Sequence, residues 1–111
     1  MANDTIIDYH GSRGEKFQLK ISNSLVHAYY WAWFDTSTNE DITVCADFTA
    51  RQYRKGIEKL LAQGECSIRH GNSSMTLRSK PMGVHLELAD QIETIETTLP
   101  VRAEQFSYPN P

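Results

Sequence analysis

The residues of this chain able to act as base, nucleophile or metal ligand are scattered. His10, His27, His70 and His85 show neither the i, i+4 pairing of a metal-binding helix nor an adjacent cysteine ligand, so no metal site is expected. His85 and Glu87 lie two residues apart, on one side of the chain if it is extended, and in that arrangement can couple as base and orienter. A solvated strand face has the same pattern and is the preferred reading. Ser73 and Ser74 sit in a turn rather than a glycine-flanked nucleophile elbow, and Cys45 and Cys66 have no neighbouring histidine. The glycines at 11, 14, 64, 71 and 83 are dispersed among turns and form no phosphate-cradling loop. No catalytic residue and no cofactor is therefore expected, and the chemistry left to the chain is recognition.

Two stretches carry that recognition. HAYYWAWF, residues 27–34, is the most aromatic part of the sequence. On a strand, Tyr29, Trp31 and Trp33 share one side and Ala28, Tyr30, Ala32 and Phe34 the other. Neither side is polar, so the strand belongs inside a sheet, and the small alanines beside Tyr30 and Phe34 leave room for a helix on that side. The Tyr29, Trp31 and Trp33 side has two readings: it is covered by the chain's own C-terminal segment, or it is offered to a partner, where aromatic residues concentrate binding energy. The second stretch is 83–99, with Glu87, Asp90, Glu93 and Glu96 and no Lys or Arg. The net charge is −3, and residues 49–63 hold four cations against one anion, so +3 there leaves −6 on the remainder. Such polarisation disfavours nucleic acid, even for the cationic ridge Arg51, Arg54, Lys55 and Lys59, and favours encounter with a basic protein.

The element that positions these stretches is the helix expected over 49–63. Thr49 and Gln52 have the spacing of a capping box, Phe48 and Tyr53 that of a hydrophobic staple, and Gly64 that of a left-handed C-cap. Tyr53, Ile57, Leu60 and Leu61 form its apolar face. Gly56, on the same side, either marks a close approach of helix to sheet or is simply tolerated at a cost of about 1 kcal/mol.

Around the helix the chain reads mostly as strands. Residues 5–10 are β-prone, and Phe17, Leu19 and Ile21 alternate with Lys16, Gln18 and Lys20. After the aromatic stretch and the polar loop 35–40, residues 41–47 return as a strand into the helix. Residues 65–70 and 74–80 form a hairpin, and Val84, Leu86 and Leu88 alternate with His85 and Glu87. In LADQIETIETTLP the spacing of Leu88, Ile92, Ile95 and Leu99 suits a helix whereas Thr94, Thr97 and Thr98 suit a strand. A short helix over 91–99, ended by Pro100, is the expectation. Phe106 and Tyr108 are expected on the sheet, and 109–111 as a loose tail.

Residues 1–111 thus read as one α+β domain: a single antiparallel sheet of six or seven strands, the main helix on one face and a short second helix near 91–99. No apolar run is long enough to span a membrane, and MANDTIIDYH has acidic residues where a secretory signal is cationic then apolar, so a cytosolic protein with Cys45 and Cys66 reduced is expected. The expected function is stoichiometric inhibition of a protein partner, as by an immunity protein neutralising a basic toxin or nuclease domain. In that reading Glu87, Asp90, Glu93 and Glu96 steer the encounter, and Tyr29, Trp31 and Trp33 anchor it. The alternatives are a phage-type inhibitor of a host defence complex, a structural domain that self-associates as a homodimer through the aromatic side, and a small-ligand binder with that side as pocket wall.

Overall fold

A computed structural model describes residues 5–11, 14–22, 24–33, 41–91 and 93–106; the side chains at 32, 33 and 41–43 are outside that description. The described residues form eight strands: β1 (Thr5–His10), β2 (Lys16–Ser22), β3 (Leu25–Trp33), β4 (Asp41–Thr49), β5 (Glu65–His70), β6 (Ser73–Lys80), β7 (Gly83–Ala89) and β8 (Thr94–Leu99). The helix α1 (Ala50–Gln63) joins the two halves, and a single 3-10 turn occupies Ala103–Gln105.

The strands form two antiparallel meanders, β1-β2-β3-β4 and β5-β6-β7-β8, and not the single sheet of six or seven strands that alternation alone suggests. Alternation shows that each strand buries one side; it carries no information about what that side meets. The 14-residue helix is about 21 Å long, which lets the chain leave the β4 edge and start a new sheet instead of pairing with the old one. Inner faces of both sheets, the apolar stripe of α1 and Phe106 share one core. Ala28 and Ala46 are register partners, both buried, and β4 is the strand of the first sheet that β5, β6 and β7 approach. The room left by small side chains is thus met by a second sheet.

The helix termini follow the sequence. The Gln52 amide donates to Thr49 Oγ1 at 3.2 Å, the Thr49 amide donates to Gln52 Oε1 at 3.2 Å, and the Gly64 N–H reaches Leu60 O at 2.9 Å from a left-handed φ of 83°. Phe48 and Tyr53 are both buried. Removing the cap with Thr49→Ala is expected to cost about 1 kcal/mol in chemical denaturation, and an unchanged midpoint would count against the capping role. Leu61 departs from expectation: it is 49% exposed, because the buried stripe is the narrower set Tyr53, Gly56, Ile57 and Leu60. That stripe packs chiefly on β5 and only marginally on β3, so the helix is not the roof of the aromatic strand. Tyr30 is nonetheless fully buried; Phe34 lies outside the described residues.

Within the segment expected as a helix over 91–99, Thr94–Leu99 form strand β8 instead, in register with β7 through Val84–Leu99, Leu86–Thr97 and Leu88–Ile95. A four-residue spacing such as that of Ile95 and Leu99 fits one side of a helix and one side of a strand equally well, and the β-branched threonines decide for the strand. After Pro100, Phe106 stacks on Tyr9 at 4.5 Å and lies 6.2 Å from Phe17, and the Tyr9 hydroxyl donates to Gln105 O at 2.6 Å. These are inner-face contacts. Among the described residues the C-terminal segment therefore goes into the core rather than over the Tyr29 and Trp31 side; Tyr108 and 109–111 lie outside the description. No helix among the described residues is long and apolar enough to cross a membrane.

Candidate functional site

The outer face of the first sheet is laid out by its register. One row runs Ile6, Lys20, His27, Asp47; the next Asp8, Gln18, Tyr29, Cys45; the third His10, Lys16, Trp31, Thr43. Along β3 these rows place His27, Tyr29 and Trp31 in a column, with the backbone of Trp33 continuing it opposite Asp41. The Tyr29 and Trp31 rings lie 5.5 Å apart and 15° from parallel, and His27 follows 6.3 Å from Tyr29. A stack of this kind holds each ring in one rotamer by its neighbours, so little side-chain entropy remains to be lost on binding.

Polar partners fix the column from both sides. His27 Nδ1 and Asp47 Oδ1 are 2.6 Å apart, with the ring N–H donating. Lys16 Nζ sits 5.5 Å from the Trp31 ring and 3.8 Å from Asp8 Oδ1, and Gln18 Nε2 donates to the same oxygen at 2.7 Å. Apolar surface extends the face: Ile6 is 54% exposed and Leu25, two residues before His27 on β3, is 42% exposed. Half-buried rings, two exposed aliphatic side chains and a fringe of paired charges is the composition of an interface core and rim.

Nucleophilic chemistry is not supported on this face. Burial pushes the Cys45 thiol up, and the Asp47 and Asp90 carboxylates push it further. Tyr29 is raised by burial and by Cys45 and Asp47, so thiol and phenol both stay protonated near neutral pH. Cys66, in the core, is pushed up to about 11 by burial.

No protein-family model, curated protein or solved structure matches this chain.

The acidic residues fall on two surfaces. Glu87 and Glu96 are cross-strand partners on the outer face of the second sheet, where His85 Nε2 is 3.4 Å from Glu96 and Nδ1 3.4 Å from Thr98. His85 is thus oriented by β8 and not by Glu87 on its own strand. Asp90 and Glu93 close the β7–β8 turn, the Asp90 amide donating to Glu93 O at 2.9 Å. The Asp90 carboxylate is one of the charges that push the Cys45 thiol up, and β7, which leads into that turn, is among the strands that approach β4. His10 and His70 end strands of different sheets, and among the described residues no group of three or more His, Cys, Asp or Glu is arranged to hold a metal ion. Ser73 and Ser74 begin β6. The flanking residues Lys16, Asp8 and Asp47 were not legible as site residues, since only the strand register brings them to the column.

Proposed function

We propose that this protein binds a protein partner through the outer face of its first sheet and acts as a stoichiometric inhibitor, of the immunity type, of a basic toxin or nuclease domain. The observation that carries the reading is the ordered Tyr29 and Trp31 stack, partly exposed, with Ile6 and Leu25 exposed around it. A chain that keeps four such side chains on one sheet face and fixes the rings by stacking has a surface suited to displacing water from a partner. Steering is assigned to Asp90 and Glu93, in the turn after β7, one of the strands that approach β4, more than to Glu87 and Glu96. The latter pair on the outer face of the second sheet, whose inner face is turned to the core shared with the first.

The test is a pull-down from the native cell with wild-type and Trp31→Ala bait, followed by titration of the captured partner's activity. A partner held by the wild type, released at least about tenfold faster by the variant, and inhibited at equimolar protein supports the reading. Equal retention by both baits sinks it. With that partner in hand, Asp90→Lys with Glu93→Lys should slow association and flatten its salt dependence, whereas Glu87→Lys with Glu96→Lys should change the on-rate much less. The competing reading, a homodimer through the same face, predicts a concentration-dependent sedimentation coefficient that Trp31→Ala abolishes.

A further inference from the structure

The cationic ridge of α1 plays no part in the function proposed above, and its setting suggests one. Two open clefts of about 300 and 360 Å³ adjoin along the seam between α1 and the edge strand β5, sharing Lys59 and Ser67 as common walls. Lys55 and Lys59 line the helix side; Arg69 and Arg78 line the sheet side. All four are exposed. The carboxylate within the lining is Glu65, 3.5 Å from Arg78 Nε, a solvated pair that offsets little of the charge. Lys55 and Lys59 are one helical turn apart, where like charges repel, and they face further cations across the groove. Gathering positive charge from two elements costs stability unless an anion neutralises it.

We infer that this groove is a binding site for an acidic polypeptide segment in extended form. A strand-like peptide places every second side chain on one side, about 6.6 Å apart, so that successive carboxylates reach cations of both walls, while Ser67, whose hydroxyl is shared with Thr76 Oγ1 at 3.0 Å, adds a polar group to the seam. Gly56 lies at the floor with Ile68, where the missing side chain lets helix and strand meet closely. A single-stranded nucleic acid also carries regularly spaced anions, yet the groove lining contains no aromatic ring on which a base stacks. None of the groove residues belongs to the aromatic face, so this inference stands independently of the inhibitor reading.

The experiment is fluorescence anisotropy on the full chain with a labelled oligoglutamate and an oligothymidylate of equal length, at low and physiological salt. Saturable binding of the peptide, tighter than that of the oligothymidylate and about tenfold weaker in Lys59→Gln with Arg69→Gln, is the expected result. Lys55→Gln with Arg78→Gln provides the same readout should the first pair alter the melting curve. No saturable peptide binding overturns the inference, as does tighter binding of the oligothymidylate or peptide affinity unchanged in the variants.

Discussion

Replacing Gly83 with alanine is expected to destabilise the domain by about 3–5 kcal/mol, the combined scale of a strained backbone and an overpacked contact, and to lower its melting temperature by roughly 12 °C or more. Gly83 opens β7 with φ at 144°, a conformation side chains disfavour, directly after the Pro81–Met82 turn. The end of β8 passes over it. A Cβ there would penetrate the carbonyl oxygen of Leu99 and lie 2.8 Å from Leu99 C and 3.0 Å from Pro100 Cα. All three are backbone atoms held by the Val84–Leu99 register pair, so no rotamer change relieves the overlap. Either β8 lifts from β7, exposing Leu99, or the hairpin deforms. Met82 in the same turn is 83% exposed, and Met82→Ala should stay within about 0.5 kcal/mol of wild type. Equal melting of the two variants would show that the close approach of β8 to β7 is wrong.

The parts of this fold legible in the sequence are those set by neighbours along the chain. Thr49, Gln52 and Gly64 fix the helix ends through bonds that span a few residues, and the alternation of Phe17, Leu19 and Ile21 fixes which side of β2 is buried. What depends on distant residues was not legible. That eight strands divide into two sheets is decided by the Ala28–Ala46 pair letting β5, β6 and β7 come against β4, and by Phe106 filling space beside Tyr9; neither leaves a periodic trace. The reading of 91–99 failed because the charged and apolar spacing suits both periods, and pairing with β7 settles the matter. The site divides in the same way. Alternation in HAYYWAWF already separated Tyr29 and Trp31 from Tyr30, but the register alone brings Lys16 to Trp31 and Asp47 to His27, and it pairs Glu87 with Glu96 on the second sheet.

At Gly56 the two signs of a glycine substitution can be separated. In a solvated helix, Gly→Ala gains about 1 kcal/mol from propensity. Here the added Cβ would sit 2.5 Å from Ile68 Cγ1 and 2.6 Å from Ile68 Cδ1. Cγ1 moves only by a change of χ1, which in this buried β-branched side chain breaks its packing or leaves it off-rotamer, so Gly56→Ala is expected to destabilise by about 1–2 kcal/mol despite better propensity. Ile68→Ala alone removes a buried side chain at a cost of about 2–5 kcal/mol, but it also removes both atoms that block the helix. In that background Gly56→Ala should become stabilising by about 1 kcal/mol, and the cycle should close with a coupling of about 2–3 kcal/mol. Effects that add to within about 0.5 kcal/mol would mean that α1 does not rest on Ile68. The floor of the cationic groove would then be lost along with the contact, because the same missing side chain sets the depth at which Lys55 and Lys59 face Arg69.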